Sequence, residues 1–204
     1  MRLYHCAHTR SVRVLWALEE LALDYELEVL PFPPRVFQKS YKEINPLGTV
    51  PFFVDGDVQM TESVAICHYL VERYGPTPLA LTSSEPEYAD YLNWLYYSDS
   101  TITFPQAVML RYTQLEPPER RQPQVVDDYL AFLLGRLRKL ETALANRDYL
   151  CAGRFTIADI CVGFALFFAK EVLQLEDIFT PAIARYYQRL SSRPAFIQAT
   201  QGKL

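Results

Sequence analysis

The order of hydrophobic and polar residues near the start of the chain predicts a strand, a helix and a second strand. Over residues 11–22 the apolar side chains recur three or four positions apart, which places them on one face of a helix. Over residues 25–30 apolar residues alternate with acidic ones, as in a half-buried strand. With the short mixed segment 2–6 before them, these elements predict a βαβ unit with parallel strands and a right-handed crossover.

A hairpin and a further helix come next in the pattern. The turn D-G-D at 55–57 separates two runs of β-prone residues, which is a strong hairpin signal. A helical period follows over 64–70. These elements complete a four-stranded mixed sheet in an α/β domain that we place at residues 1–78.

The rest of the chain is predicted to be an all-α domain over residues 86–204. Its aromatic helix should bend near Pro105, because proline removes a backbone donor and clashes with the preceding turn. Apolar residues in another helix recur at spacings of 4, 3, 4, 3 and 4 from Val126 to Leu144. The predicted helices cover 88–112, 123–145, 156–173 and 181–191.

Composition then excludes several classes of function. A net charge of −4 argues against nucleic acid as a partner, since phosphates need a basic face. The seven glycines form neither GxGxxG nor GxxxxGK[ST], so we expect no nucleotide cofactor. The four cysteines contain no CxxC pair, and together with the three histidines they lack metal-ligand spacing, so we expect no metal and a reducing cytoplasm. No basic segment precedes an apolar run near residue 1, and no run of 18 apolar residues occurs, so we expect neither a signal peptide nor a membrane span, and no membrane partner.

Three short segments carry polar groups in places that suit a ligand. At His8-Thr9-Arg10-Ser11, Ser11 can simply cap a helix, or the helix start can bind an anion. Val50-Pro51 is either a trans edge-strand start or a cis bond that turns the Val50 backbone toward a ligand.

The third segment is Thr61-Glu62-Ser63, at the start of the helix that precedes Gly75. Thr61 or Ser63 can cap this helix, or Ser63 can hold a carboxylate while Glu62 holds an ammonium group. The second arrangement recognises an amino-acid head group.

Two further patterns indicate a folding motif and a candidate apolar pocket. Thr156 and Asp159 form a capping-box variant, so we expect Asp159 to be a buried folding determinant. Five large rings between residues 91 and 104 exceed what one buried stripe needs, so some of them can line an apolar pocket.

Four motifs, in this order and at these separations, resemble the cytosolic glutathione transferase family, and its bacterial and fungal members in particular. They are LY with TRSVRVLWALEEL within 3–21, NPLGTVP at 45–51, TESVAI at 61–66 and FTIAD at 155–159. The resemblance implies a thioredoxin-like N-terminal domain, an all-helical C-terminal domain and a homodimer. It also implies glutathione as co-substrate.

The resemblance implies a glutathione site at matching positions. Val50, before a cis Pro51, pairs its backbone with the cysteinyl part of glutathione. Glu62 and Ser63 hold the γ-glutamyl head. In the irregular, proline-marked stretch from Pro31 to Pro46, Gln38 or Lys39 reaches the glycine carboxylate.

The turn at 8–11 departs from the family pattern. Family members present Tyr, Ser or Cys to the glutathione sulfur, but His8 stands at the position of the usual Ser and Arg10 at that of the bacterial Cys. Ser11 and Thr9 are the available hydroxyls. We therefore expect one of them to stabilise the thiolate, with Arg10 as an electrostatic helper.

The resulting hypothesis is a detoxifying glutathione transferase that joins glutathione to small hydrophobic electrophiles. Tyr97 and Phe104 are the candidates for lining the electrophile pocket. Alternatives are a glutathione-dependent isomerase, peroxidase or reductive enzyme on the same scaffold, since fold does not fix the reaction. A non-catalytic, transferase-like binding or regulatory protein is a further alternative.

Overall fold

The computed structural model describes residues 1–201, and the chain divides into two compact units. The α/β unit comprises Met1–Ala80 together with the residues from Ser191 onward, and the helical unit comprises Leu81–Leu190. The helices in chain order are α1 Ser11–Glu20, α2 Pro34–Phe37, α3 Ser63–Arg73, α4 Tyr88–Tyr97, α5 Phe104–Leu110, α6 Pro123–Leu144, α7 Ile157–Phe167, α8 Pro181–Ser191 and α9 Pro194–Gln201.

The α/β unit contains the predicted four-stranded mixed sheet. Its strands are β1 Arg2–His5, β2 Glu26–Val29, β3 Phe52–Asp55 and β4 Val58–Met60, in the order β2-β1-β3-β4. β1 pairs with β2 in parallel, whereas β1–β3 and β3–β4 are antiparallel. Gly56 closes the hairpin with φ +58°, a value that glycine adopts at little cost. The predicted βαβ unit and hairpin are therefore confirmed.

Helix α9 was not predicted, and it packs against α1 within the α/β unit. The Trp16 and Phe196 rings meet edge to face with centroids 4.9 Å apart. Arg193 donates through Nε and Nη2 to the two carboxylate oxygens of Glu20 at 2.6 and 2.7 Å. The Nε1 of Trp16 also donates to Glu20, at 2.9 Å. These contacts group the end of the described chain with the first unit.

The long aromatic helix of the helical unit is interrupted close to the predicted bend. A π-helical segment, Ser98–Thr103, lies between α4 and α5, and Pro105 falls in the first turn of α5. Thr103 Oγ1 donates to the Ser98 carbonyl at 2.6 Å, and Gln106 Nε2 donates to the Ile102 carbonyl at 2.7 Å. These side chains therefore donate hydrogen bonds to carbonyl groups of the π-helical segment, and the helix continues through it with a changed register.

The start of α7 confirms the folding role of Asp159. This residue is fully buried and accepts hydrogen bonds from Leu150 N at 3.0 Å, Thr156 N at 2.8 Å and Tyr186 Oη at 2.9 Å. Burial raises the pKa of Asp159 to about 6, against the lowering effect of these donors. One carboxyl group therefore ties the helix start to the preceding loop and to α8.

Candidate functional site

The turn between β1 and α1 carries Thr9, Arg10 and Ser11, which the sequence analysis predicts to face the sulfur of glutathione. His8 has a left-handed backbone, with φ +57°, and its side chain is exposed. Helix α1 begins at Ser11 itself, preceded by Arg10 at the N-cap position, and no side-chain cap is present. Of the two alternatives for this turn, capping by the Ser11 side chain is therefore wrong.

The Ser11 hydroxyl points into the unit instead of capping the helix. Ser11 is 0% exposed, and its Oγ lies 2.8 Å from His5 Nδ1 and 2.8 Å from Thr9 Oγ1. It also accepts from Cys6 N at 3.3 Å. Thr9 is half-buried and donates from Oγ1 to the Cys6 carbonyl at 2.8 Å. Of the two candidate hydroxyls, only that of Thr9 belongs to a partly exposed side chain.

Two buried titratable groups lie beneath this turn. Burial, with a smaller contribution from His8, lowers the pKa of His5 to about 4, so its ring is neutral at physiological pH. Burial raises the pKa of the Cys6 thiol to about 12. Cys6 is 0% exposed and remains a thiol, so it does not supply a reactive thiolate.

The loop before β3 is held so that Val50 is half-exposed. Tyr41 Oη and Asn45 Nδ2 both donate to the Thr49 carbonyl at 2.9 Å. Gly48 has φ +60°, and a Cβ added to it would lie 2.8 Å from the Arg35 Cβ. The Val50-Pro51 bond is cis, the alternative that the functional interpretation of this segment requires.

The start of α3 joins the third candidate segment, Thr61-Glu62-Ser63, to α1. Helix α3 begins at Ser63 after Glu62, again without a side-chain cap, so the capping alternative for Thr61 and Ser63 is wrong. Instead, Arg13 Nη1 donates to Ser63 Oγ at 3.0 Å, and both residues are buried. Glu62 is exposed.

Arg13 is the residue of this site that sequence reasoning missed. Its only signal is a cation placed between Val12 and Val14 in an otherwise apolar stretch of α1. A charged side chain in such a position is buried only when it has partners.

Gln38 and Lys39 lie where α2 passes into a 3₁₀ turn, Lys39–Glu43. Gln38 is half-buried and Lys39 is exposed. Within residues 1–201 neither side chain makes a hydrogen bond or an ion pair, so the structure joins neither of them to the groups around Ser63 or Thr9.

The two expected pocket residues differ in exposure. Tyr97 is 8% exposed and donates its hydroxyl to the Arg136 carbonyl at 2.5 Å, which makes it a core residue of the helical unit. Its burial argues against a lining role. Phe104 is 53% exposed, with its ring edge-on to that of Tyr129. Of the two, Phe104 is the one available to an apolar ligand.

The described residues offer no alternative metal chemistry. Within residues 1–201 no group of three or more His, Cys, Asp and Glu side chains is placed to hold a metal ion. In the same part of the chain, no helix has the length and apolar character needed to span a membrane. All four cysteines are buried, and none of them forms a disulfide bond.

A four-stranded mixed sheet with a cis proline before β3, followed by a unit built of helices, defines a thioredoxin-like domain joined to an all-α domain. The family model described as "Glutathione S-transferase, N-terminal domain" matches residues 3–78, and the one for the C-terminal domain matches residues 103–194. The chain belongs to the glutathione S-transferase family, as the sequence motifs predicted.

Relatives and solved structures agree with this assignment. Glutathione S-transferase 2 of Schizosaccharomyces pombe is 32% identical over 217 residues, covering 96% of this chain and 92% of the relative. Glutathione S-transferase GstB of Escherichia coli is 28% identical over 195 residues, covering 92% and 90%. Ure2p5 from Phanerochaete chrysosporium, cocrystallized with 1-(S-glutathionyl)-2,4-dinitrobenzene, superposes with a TM-score of 0.84 at 26% identity, covering 99% of this chain and 93% of that one.

Proposed function

We propose that this protein binds glutathione as its thiolate and conjugates it to small hydrophobic electrophiles. The observation that carries the proposal is the turn at 8–11, where Thr9, a partly exposed residue with a hydroxyl group, stands beside the start of α1. Family membership supports glutathione as the co-substrate. The related Ure2p5 structure, with its glutathionyl dinitrobenzene, supports the electrophile class.

The energy needed to hold the thiolate is within reach of these groups. A free thiol of pKa about 8.5 must be lowered by about two units, which takes about 2.7 kcal/mol of preferential stabilisation of the anion. A hydrogen bond to a charged group supplies about 1.5–3 kcal/mol, and a helix N-terminus about 0.3–2 kcal/mol. Thr9 and the start of α1 therefore suffice, with Arg10 adding positive charge. No general base is required for attack by the thiolate.

We assign the sulfur to Thr9 rather than Ser11. The Ser11 hydroxyl is fully buried, and its bonding capacity is used by His5, Thr9 and Cys6. A sulfur atom could reach it only after the turn had opened. Thr9 needs only to rotate its hydroxyl proton away from the Cys6 carbonyl.

The rest of glutathione is proposed to contact the other candidate residues described above. The Val50 backbone pairs with the cysteinyl residue as an added strand does. Arg13 donates to Ser63 Oγ, which leaves the single Ser63 proton free to donate to the γ-glutamyl carboxylate. Glu62 offers its carboxylate to the γ-glutamyl ammonium. Gln38 or Lys39 is proposed for the glycine carboxylate.

Turnover and retention test the proposal together. We expect conjugation of glutathione to a chlorinated dinitrobenzene, together with retention of the protein on glutathione resin. If the protein neither catalyses this conjugation nor binds the resin, the proposal is wrong. Retention without turnover would leave glutathione binding intact and remove the transferase step.

The unusual turn favours a second candidate, a glutathione-binding protein without turnover. An exposed His8 stands where the family has a serine, and the nearby Ser11 is buried. This candidate predicts affinity for glutathione without the ultraviolet absorbance of a bound thiolate. A thiolate band in the complex would exclude it.

We further propose a cytoplasmic homodimer that acts in detoxification. The helical unit exposes Phe104, Phe132 and Leu134 on α5 and α6, and apolar groups of this size favour burial against another surface. Analytical ultracentrifugation should give twice the chain mass, whereas a monomer at micromolar concentration would contradict the dimer. The four cysteines, none of them in a disulfide bond, suit a reducing compartment, and cell fractionation tests the location.

A further inference from the structure

A chain of three short hydrogen-bond contacts runs from the core of the α/β unit to the turn at 8–11. His5 Nδ1 lies 2.8 Å from Ser11 Oγ, Ser11 Oγ lies 2.8 Å from Thr9 Oγ1, and Thr9 Oγ1 lies 2.8 Å from the Cys6 carbonyl oxygen. His5 and Ser11 are fully buried, whereas Thr9 is partly exposed. A buried imidazole is thereby connected to the hydroxyl proposed to face the sulfur.

Counting protons fixes the direction of this chain. The Cys6 carbonyl can only accept, so the single Thr9 proton is donated to it. The Ser11–Thr9 contact at 2.8 Å then needs the Ser11 proton, in preference to the Cys6 carbonyl, which lies 3.3 Å from Ser11 Oγ. The His5–Ser11 contact in turn needs a proton on His5 Nδ1.

The outward direction, from His5 to Thr9, leaves only the longer contact of Ser11 Oγ with the Cys6 carbonyl, at 3.3 Å, without a proton, whereas the opposite direction also leaves a 2.8 Å contact without one. If His5 were protonated on Nε2, Ser11 would donate to Nδ1 and Thr9 would donate to Ser11. No proton would then remain for the Cys6 carbonyl at 2.8 Å from Thr9. The outward direction also suits Ser11, whose two lone pairs accept from His5 and from Cys6 N. His5 Nε2 is buried without a hydrogen-bond partner in residues 1–201, so nothing there requires it to carry the proton.

We propose that His5, protonated on Nδ1, acts through Ser11 to hold the Thr9 hydroxyl as a hydrogen-bond donor toward the glutathione sulfur. The Ser11 proton occupies a lone pair of Thr9, so Thr9 cannot turn inward to donate to Ser11. Its proton goes either to the neutral Cys6 carbonyl or to an arriving thiolate. The thiolate is favoured because hydrogen bonds to a charged acceptor are about twice as strong.

His5 is thus a positioning residue that never contacts the substrate and neither gains nor loses a proton. The inference rests on the proposed function for the role of Thr9 toward sulfur. The tautomer of His5 does not depend on it, and the two are therefore tested separately.

Nuclear magnetic resonance tests the tautomer in the protein without glutathione. Long-range proton–nitrogen correlations of the uniformly nitrogen-15-labelled chain distinguish a protonated from a bare ring nitrogen, and His5→Asn identifies the signals. We expect the proton on Nδ1 at pH 7. A proton on Nε2 overturns the inference, whether or not the protein is a transferase.

Titration of bound glutathione tests the effect on sulfur. In His5→Leu we expect the pKa of the bound thiol to rise by about one unit, equal to about tenfold less thiolate near neutral pH. His5→Asn places an amide donor near the position of Nδ1 and should restore most of the shift. His68→Leu removes a histidine from α3 and serves as the matched control, with no expected shift.

The outcomes separate the two proposals. An unchanged thiol pKa in His5→Leu, or equal shifts in His5→Leu and His5→Asn, overturns the positioning role. Failure of the unaltered protein to bind glutathione overturns the proposed function instead. Thermal melts establish that each variant is folded, and if His5→Leu does not fold, the comparison of His5→Asn with Ser11→Ala decides, since only Ser11→Ala breaks the chain of protons.

Discussion

The contact between Arg13 and Ser63 gives a prediction about glutathione affinity. Arg13 Nη1 donates to Ser63 Oγ at 3.0 Å inside the α/β unit, so the Ser63 proton is directed away from the guanidinium. Ser63→Ala removes a donor to the γ-glutamyl carboxylate. A hydrogen bond to a charged group contributes about 1.5–3 kcal/mol, which corresponds to a Kd about 10- to 150-fold weaker.

Arg13→Met tests whether that donor depends on the guanidinium. Methionine keeps an unbranched apolar stem in the buried space but cannot donate to Ser63. Without this bond the Ser63 hydroxyl is free to turn, so we expect weaker glutathione binding in the same direction as Ser63→Ala. The double variant should lose less affinity than the sum of the two single losses, because both act on one interaction.

Isothermal titration with glutathione measures Kd for the four proteins of this cycle. In steady-state kinetics the weaker binding should raise KM for glutathione with little change in kcat, because the γ-glutamyl head lies away from the sulfur. Thermal melts separate lost affinity from lost folding. Additive losses in the cycle, or an unchanged Kd in folded Ser63→Ala, would refute the reasoning.

Three stability predictions concern individual residues that support the fold. Gly48→Ala should lower the free energy of unfolding by about 1–3 kcal/mol, because φ is +60° and the added Cβ would meet Arg35. Gly56→Ala, with open space around its Cβ at φ +58°, should lower it by less. Urea melts that rank the two variants the other way would contradict this. Arg193→Met should loosen α9 from Glu20, seen as faster amide exchange in α9, and equal exchange would count against it. Burial raises the Asp159 pKa to about 6, so the folded state binds this proton more tightly than the unfolded state, whose pKa is about 4. This contribution is complete below about pH 4 and is lost as pH rises through about 6, so Asp159→Asn should flatten stability over that window in melts at several pH values.

The parts of the fold that follow strong periodic patterns were predictable from sequence. The strands around α1 and the hairpin at Gly56 lie where the period and turn residues indicate. Helix α9 was missed because eight residues after a proline carry too little periodicity, and its place on α1 depends on long-range contacts of Arg193 and Phe196. Such contacts between distant residues leave no local signal.

The candidate site shows the same division between local and tertiary information. The segments 8–11, 50–51 and 61–63 could be identified because each has a short motif. Whether Ser11 faces solvent or His5 depends on packing, as does the meeting of Arg13 with Ser63 across 50 residues. The sequence therefore points to the turn at 8–11 as a candidate, and only the structure distinguishes the buried Ser11 from the partly exposed Thr9.

The central claim is that Thr9 and the start of α1 hold the glutathione sulfur as a thiolate. Ultraviolet titration of glutathione bound to the protein measures this directly, with Thr9→Val compared with the unaltered chain. We expect a bound thiol pKa about two units below that of free glutathione, and a rise of at least about one unit in Thr9→Val. A bound thiol that titrates as it does in water, or one that is unaffected by Thr9→Val, would contradict the account.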